Sequence, residues 1–254
     1  MLPAAREAAG YDGRVSTEPA TVAEEEYLQT LFWLYEAGLP MTGANLARAM
    51  QLSAPTVHEM VGRLERDGYV RRGEDRAIHF TDSGKAQAEE VVSRHRLIER
   101  FLTDVVGVAW DDVHEEAERL EHAMSPRFEA YVRSSVGDAK TCPHGHPIAV
   151  GHRIAGVPLA DCEIGARVRI LRFENEAEDL LHYLKREGIE PGLEGTVAGR
   201  DQEEVAVDPA GAGAGTVTIT RSVAETVSVQ ADPSPPPRIA LPEQLVLARE
   251  RYGR

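Results

Sequence analysis

The sequence predicts a mainly α-helical fold with a smaller β component: an N-terminal unit of helices and a two-stranded ribbon, a helical layer, and a small C-terminal β-barrel. Three observations support this prediction. Apolar residues recur at helical spacing through the first half of the chain. Glycine and proline are scattered through residues 138–160, and short alternating segments follow up to residue 230. The 254 residues are enough for one large or two modest domains.

The N-terminal unit is predicted from apolar spacing and from helix caps. Residues 1–20 lack periodicity and are expected to be disordered. Helices are predicted over residues 21–37, 43–50 and 53–67. Ser53 is suited to cap the third helix and Pro55 to its first turn. Two short β segments joined by a polar turn follow, and this order of elements is typical of a winged helix-turn-helix over residues 21–82.

The rest of the chain divides into four parts. A long helix capped by Thr81-Asp82-Ser83 is predicted to reach Val106 and to stop at Gly107, and two shorter helices follow it. The parts are a helical layer, a linker, a small β-barrel and a proline-rich tail, at residues 83–137, 138–160, 161–230 and 231–254. Within the tail, the prolines predict a stiff spacer, followed by a helix over residues 242–251.

Composition excludes several classes of protein. The chain is 42% hydrophobic and 28% charged, an ordinary mixture for a soluble domain. No window approaches the run of about 18 apolar residues that suggests a membrane span, and the first residues lack the apolar stretch of a secretory signal. Two cysteines are too few for a disulfide framework. We therefore expect a cytoplasmic protein with no membrane partner.

The formal net charge of −14 argues against a protein coated with basic, nucleic-acid-binding surface. The charge is unevenly distributed, however, since residues 41–85 contain seven basic and six acidic side chains. An acidic body repels DNA except where one such face is presented. A cation that neutralises part of the body would relieve this repulsion.

Side chains that bind metals are concentrated on two helix faces. His95 and Glu99 are four residues apart and share one face. A face of the next helix carries His114, Glu118, Glu121 and His122. Six ionisable groups on faces that would otherwise be apolar are costly unless a cation compensates them. The spacing is not unique to metal sites, and solvated acidic helices are the alternative interpretation.

A second set of donors lies near the linker. Zinc-binding atoms are offered by Cys142, His144, His146 and Cys162. Cys162 is distant from the others and no Cys-x-x-Cys pair exists to close the set. A plain loop is therefore the preferred interpretation of this segment.

Several stretches of the chain occur together in a fixed order: EEEYLQTLFWL, LSAPTVHEMVGRLERDGYV, IHFTDSGKAQA, RHRLIERFL and WDDVHEEAERLEHAMS. Their combination resembles the diphtheria-toxin-repressor family of iron- and manganese-responsive regulators. The joint presence of HRLIERFL and VHEEAERLEH is specific to it. The segment CPHGHPI and the GIEPG turn also resemble the family, whose C-terminal domain is an SH3-like barrel of the iron-transport-accessory type.

The resemblance implies two metal sites. The first is formed by His95, Glu99 and His114, and the second by Glu26, Glu118, Glu121 and His122. Iron-sensing members carry Met and Cys at the positions of Glu26 and Glu118, and the carboxylates here favour Mn(II), with Fe(II) as the second choice. Glu176 and Asp179 of the barrel are expected to complete the first site, although solvated acids are an equally good interpretation.

For DNA reading, the resemblance points to Ser53, Pro55, Thr56, His58 and Glu59. Ser53 and Thr56 can donate to phosphates, and Pro55 can contact a thymine methyl group. Glu59 stands where the family often has Gln. Arg63 and Arg76 are expected to contact the DNA backbone.

The resemblance implies a repressor of metal-homeostasis genes that binds operator DNA as a homodimer when metal is present. It implies neither enzymatic activity nor a small-molecule substrate. An iron-responsive repressor of the same family is the second choice. Three different functions are less favoured: a metallohydrolase, a regulator that senses an organic ligand, and a metal-transport adaptor that acts through the barrel.

Overall fold

The structure is a computed structural model that describes residues 19–73, 76–211 and 215–235. The expectations of disorder before residue 19 and of a helix at 242–251 lie outside these residues. Within them the fold is mainly helical, with a two-stranded and a six-stranded sheet. No helix in these ranges is both long enough and apolar enough to cross a membrane.

The predicted winged helix-turn-helix is confirmed. Its elements are α1 (Val22–Glu36), α2 (Gly43–Met50), α3 (Ala54–Arg66), β1 (Val70–Arg72) and β2 (Ile78–Phe80). Thr21 and Glu24 form a reciprocal capping box at the start of α1. Ser53 caps α3 as predicted, through a hydrogen bond from the amide of Thr56. The strands are antiparallel, with Val70 opposite Phe80.

The core of this unit leaves the outer face of α3 free. Leu28 and Phe32 of α1 pack in one cluster with Leu46 of α2. α3 adds its buried residues Val57 and Val61 to the same cluster. Because apolar residues at helical spacing occupy only one side of a helix, the other side of α3 remains available to a partner.

The long helix α4 (Asp82–Phe101) begins directly beneath the ribbon. The Thr81 hydroxyl donates to the carbonyl oxygen of Gly68 at 2.6 Å and accepts from the amide of Gly84 at 3.0 Å. A Cβ at Gly84 would lie 1.7 Å from the carbonyl oxygen of Tyr69. Only glycine allows this close approach, which ties the winged helix-turn-helix to the helical layer.

The helical layer continues through a π-helical turn over Leu102–Val106 that ends at Gly107. It is completed by α5 (Val113–Glu121) and α6 (Pro126–Ser135). Ile98 packs against Val113 and Ala117, so that α4 and α5 lie side by side. This contact brings together the two helix faces that carry the predicted metal ligands.

The C-terminal domain is an antiparallel sheet around one apolar core. Its strands are β3 (Val157–Pro158), β4 (Arg167–Phe173), β5 (Glu194–Arg200), β6 (Glu204–Pro209), β7 (Val217–Thr220) and β8 (Val227–Asp232), in the order β3-β8-β4-β5-β6-β7. Register shifts interrupt β4 and β5 and are typical of a curled sheet. α7 (Glu178–Arg186) and the short α8 (Arg221–Ala224) pack on the same core.

The segment expected to be a linker is largely packed into the protein. Cys142, His144 and His146 are buried, and Ile148 packs in the helical layer. β3 also lies within this segment and pairs with β8. The difference has a simple reason: these side chains fill the space between the helical layer and the C-terminal sheet, a contact that local glycine and proline content does not predict.

Candidate metal centre and nucleic-acid interface

Donor atoms from α4, from α5 and from the segment just before α7 converge at one point. His95 Nε2 lies 3.0 Å from Glu99 Oε1 on the next turn of this helix. His114 Nδ1, from α5, lies 3.2 Å from His95 Nε2 and 3.1 Å from Glu99 Oε1. Glu176 Oε2, just before α7, lies 3.0 Å from His114 Nδ1. All four donors lie within 4.8 Å of one another. We call this group the first centre.

Residues 138–160, which we call the connection, bring further donors to the same carboxylate. His144 Nδ1 lies 3.1 Å from Glu99 Oε1 and 3.6 Å from Glu176 Oε2. Cys142, Glu99 and His144 form a second compact group of donors. The other ring nitrogen of His144, Nε2, lies 2.7 Å from the carbonyl oxygen of Trp110 and donates to it. This bond orients the ring and leaves Nδ1 facing Glu99.

The zinc set considered from the sequence is not formed. Cys162 is buried in the core of the C-terminal domain, with its Sγ 3.7 Å from the carbonyl oxygen of Pro158. Cys142 and His144 face Glu99 instead. The close spacing of Cys142 and His144 indicates that both can contribute to one ligand group. Nothing in the sequence connects them to a carboxylate on α4.

The carboxylates of the first centre favour the protonated form of its imidazoles. Burial alone would lower the pKa of His95, but the charges of Glu99 and Glu121 outweigh it and raise this pKa to about 9. Burial also opposes ionisation of His114, yet hydrogen bonds to neighbouring carboxylates raise its pKa well above the ordinary value. For Glu99, burial is outweighed by His144 and His95, which hold the pKa of the carboxyl well below its usual range.

The first centre fits a divalent metal ion. Glu99 Oε2 is buried and has no hydrogen-bond partner among the described residues, a costly state for a carboxylate oxygen. Imidazole nitrogens, carboxylate oxygens and one thiol form a donor set that suits divalent transition metals. The residues that would hold the ion are His95, Glu99, His114, His144 and Glu176, with Cys142 beside them.

Glu121 links the first centre to a second cluster of donors. His95 Nδ1 donates to Glu121 Oε2 at 2.6 Å. The other oxygen of Glu121, Oε1, lies 3.2 Å from His122 Nε2. His122 Nδ1 lies in turn 2.7 Å from Glu25 Oε2 of α1. One series of polar contacts therefore joins α4, α5 and the first helix of the DNA-binding unit.

The predicted second site is assembled in part. Glu26, Glu118, Glu121 and His122 all line one cavity of about 340 Å³. Glu26 is exposed, and its neighbour Glu25 makes the contact with His122. Three glutamates follow one another at the start of α1, and each points about 100° from the last. Their spacing alone does not reveal which of them faces α5.

Of the two acids expected from the C-terminal domain, Glu176 enters the first centre. Asp179 lies on the first turn of α7 and belongs to none of the donor groups formed by the described residues. Glu176 is held in place by His146, whose Nε2 lies 3.2 Å from Glu176 Oε1 and 2.6 Å from the carbonyl oxygen of Phe173.

The residues predicted to read DNA lie on the exposed side of α3 and at its start: Ser53, Pro55, Thr56, His58 and Glu59. The hydroxyls of Ser53 and Thr56 lie 2.7 Å apart and are both exposed. Two polar side chains are thus presented at the N-terminal end of the helix, where backbone amides also favour phosphate.

The two arginines expected at the DNA backbone differ in their surroundings. Arg63 Nε lies 2.9 Å from Glu24 Oε1, so a phosphate contact would require this ion pair to open. Arg76 is exposed at the end of the ribbon, with a φ of 64°. Arg72 braces the ribbon against α3 by donating to the carbonyl oxygen of His58 at 3.3 Å.

Comparisons with known proteins match each of the three units of the fold. Residues 20–78 match the iron dependent repressor N-terminal DNA binding domain, residues 81–149 the iron dependent repressor metal binding and dimerisation domain, and residues 157–231 the FeoA domain. The diphtheria toxin repressor of Corynebacterium diphtheriae is 35% identical over 192 residues, which cover 70% of this chain and 84% of the relative.

IdeR of Mycobacterium tuberculosis is 42% identical over 124 residues, 49% of this chain, so the match spans about half (54%) of that relative's length. A manganese-dependent transcriptional repressor in complex with manganese is 30% identical, with a TM-score of 0.75, over 81% of this chain and 98% of that one. For IdeR of T. acidophilum the identity is 26% and the TM-score 0.70, over 84% and 100%. The chain therefore belongs to the diphtheria toxin repressor and IdeR family of metal-dependent transcriptional repressors.

Proposed function

We propose that this protein is a Mn(II)-dependent repressor that binds operator DNA as a homodimer and regulates metal-homeostasis genes. One observation carries the proposal: the donors around Glu99 come from α4, α5, the connection and the C-terminal domain, and Glu121 and His122 extend them to α1. A divalent ion supplies positive charge at this junction when it is bound. Acting on chromosomal DNA, the protein would work in the cytoplasm.

The choice of Mn(II) over Fe(II) is supported by the oxygen donors of the predicted second site. Glu26 and Glu118 line its cavity as carboxylates, and hard oxygen ligands suit Mn(II). Cys142 offers a softer donor at the first centre. Burial raises the pKa of its thiol to about 11, so ligation by Cys142 would have to release a proton.

The chain's own residues connect the centres to DNA reading. His95 and Glu121 hold α4 to α5, and His122 holds α5 to Glu25 of α1. Since α1 shares its core with α3, these contacts set the position of the reading helix. In a dimer, two such helices must be spaced by about 34–36 Å to enter successive major grooves.

Exposed apolar side chains of the helical layer support the homodimer. Large ones that face solvent there are Val105, Val106, Leu120, Phe128 and Tyr131. Where such side chains form a contiguous patch, they mark an interaction site. They adjoin the helices that carry the first centre, so pairing of two copies would fix the relative position of both DNA-binding units.

For DNA contact we propose the surface of Ser53, Pro55, Thr56, His58 and Glu59, with Arg76 of the ribbon beside it. Arg63 would join this surface after leaving Glu24. No catalytic activity is proposed. His95 and Glu99 are almost fully buried, and a metallohydrolase needs an open coordination position that a substrate can reach.

The test measures binding to DNA from the protein's own upstream region and from transporter promoters, with Mn(II), Fe(II), Zn(II) or chelator. We expect Mn(II) to give the tightest binding. Glu99→Gln should weaken it by about 10–100-fold, the usual effect of disturbing a metal site. Glu116→Gln is the matched control, because Glu116 is exposed on α5 and pairs only locally with Arg119. Metal-stripped protein that binds at full strength would refute the proposal.

A further inference from the structure

Side chains of alternating charge run through the junction between the domains. Arg96 forms a two-pronged pair with Glu36, the last residue of α1, with 3.3 Å between NH1 and Oε1 and a second contact between NH2 and Oε2. Arg153 NH1 lies 3.6 Å from Glu36 Oε2, and its NH2 lies 2.5 Å from Glu174 Oε2. Arg172 Nε donates to Glu174 Oε1 at 2.8 Å. We call these five residues the charge chain.

The charge chain is largely withdrawn from solvent. The side chains of Arg96, Glu36 and Arg172 are 3%, 8% and 5% exposed, and those of Arg153 and Glu174 are 20% and 21% exposed. Exposed ion pairs are screened by water and constrain little. In a buried series, removing one partner leaves another charge uncompensated, so the series holds its members in one arrangement.

The five members are spread over the whole fold. Glu36 ends the first helix of the DNA-binding unit, and Arg96 lies on α4. Arg172 and Glu174 belong to the C-terminal domain, at and just after β4. Arg153 lies in the connection, and of the five residues it alone pairs with a carboxylate from each of the two outer domains.

The charge chain also adjoins the first centre. Glu174 is two residues before Glu176, and Arg96 NH1 donates to the carbonyl oxygen of Pro147 at 3.0 Å, next to His146. His146 in turn contacts Glu176. Two backbone segments, residues 146–147 and 174–176, therefore contact both the first centre and the charge chain.

We propose that Arg153 is a positioning residue that clamps the C-terminal domain onto the end of α1, so that docking of this domain sets the orientation of the DNA-binding unit. Its effect on DNA binding rests on the proposed repressor function. The clamp itself is a statement about domain contacts and is tested independently of DNA.

The experiment compares full-length Arg153→Gln with Arg167→Gln at saturating Mn(II). Arg167 is the matched control, since it pairs with Asp232 at 2.7 Å on the exposed surface of the C-terminal domain. We expect Arg153→Gln to raise the Kd for operator DNA at least fivefold and Arg167→Gln to change it less than twofold. Arg153→Lys keeps the charge but not the planar fork of the guanidinium. Its Kd for operator DNA should lie between those of the two glutamine variants.

Two further measurements separate a clamp from a general loss of structure. If Arg153 acts through Glu36, the double variant with Glu36→Gln should bind no more weakly than the poorer single variant. Hydrogen exchange should increase together in the last turn of α1 and in residues 171–176 of Arg153→Gln, and remain unchanged in Arg167→Gln.

Additive effects of the two substitutions, or exchange in Arg153→Gln equal to that of the wild type, would overturn the inference. If the wild type shows no metal-dependent DNA binding, the proposed function fails. The exchange measurement then still decides whether the clamp exists.

Discussion

At the scale of single residues, one carboxylate oxygen organises the first centre. Glu99 Oε1 lies 3.0–3.1 Å from imidazole nitrogens of His95, His114 and His144. Glu99 itself is completely buried. Because an ionised carboxylate is stable in such surroundings only beside positive charge, the protein must supply either protonated imidazoles or a bound cation at this point.

The balance between protons and metal predicts a pH dependence. The pKa of His95 is raised from 6.5 to about 9 in the fold. Protonated His95 therefore stabilises the metal-free protein fully below pH 6.5, and this contribution is lost as the pH rises through about 9. An imidazolium cannot ligate a metal, so Mn(II) binding must release protons and should become tighter between these pH values.

Calorimetric titration with Mn(II) in buffers of different ionisation enthalpy measures this release at pH 7.5. His79→Gln, in β2 of the ribbon and away from the donor groups, should release as many protons as the wild type. Proton release of zero, or an affinity that is constant from pH 6.5 to 9, would contradict the expectation.

At the scale of elements, α4 serves both functional units. Its first turn is packed against the ribbon at Gly84, and its last turns carry His95 and Glu99. A rigid helix of this length transmits a displacement from one end to the other, whereas a loop would absorb it. The close contact at Gly84 therefore fixes one end of this helix against the backbone beside the ribbon.

Gly84→Ala should destabilise the fold, because the new Cβ would overlap the backbone of Tyr69. Overpacking of this kind costs about 1–3 kcal/mol of unfolding free energy. Gly43→Ala is the control: Gly43 begins α2 with no atom within 4 Å of an added Cβ, and alanine there should be neutral or stabilising by up to about 1 kcal/mol. Denaturant unfolding of both variants distinguishes the outcomes, and equal midpoints would disprove the steric argument.

At the scale of the whole molecule, the charge of −14 and the exposed apolar surface act together. Net negative charge disfavours approach to DNA at large distance. In the proposed dimer, two reading helices at the correct spacing would bind the two halves of one operator together. We therefore expect tight operator binding to require pairing of two copies.

Leu120→Glu places a charge on this surface and should convert a Mn(II)-loaded dimer to monomers, with a loss of operator affinity of at least tenfold. Val22→Glu is the control, since Val22 is similarly exposed but lies on the first turn of α1. Sedimentation velocity measures the oligomeric state. A Leu120→Glu protein that remains dimeric would show that the interface lies elsewhere.

Most of the fold follows from local sequence. Ser53 and Thr81 cap the helices they were expected to cap, and the helical period of apolar residues places the buried faces. The pairs His95–Glu99 and His114–Glu118 share faces because a helix turn spans about 3.6 residues. These properties depend on neighbours within a few positions, so one sequence is enough to predict them.

The packing of the connection against the helices does not follow from local sequence. Cys142 and His144 reach Glu99 because the segment that carries them packs against α4, where Arg100 donates to the carbonyl oxygens of Thr141 and Cys142. Glu25 rather than Glu26 meets His122 because of the rotation of α1 against α5. Neither choice is encoded in the spacing of the residues concerned.

The kind of protein follows from local patterns along the chain: a winged helix-turn-helix, a helical layer with ligand-bearing faces, and a C-terminal barrel. Long-range packing settles which donors share one point, that Arg63 pairs with Glu24, and that Arg153 connects the outer domains. The two kinds of property differ in the range of the interactions behind them. Caps and periodicity are set by local backbone geometry, whereas a site built from four distant segments depends on how their side chains pack against one another.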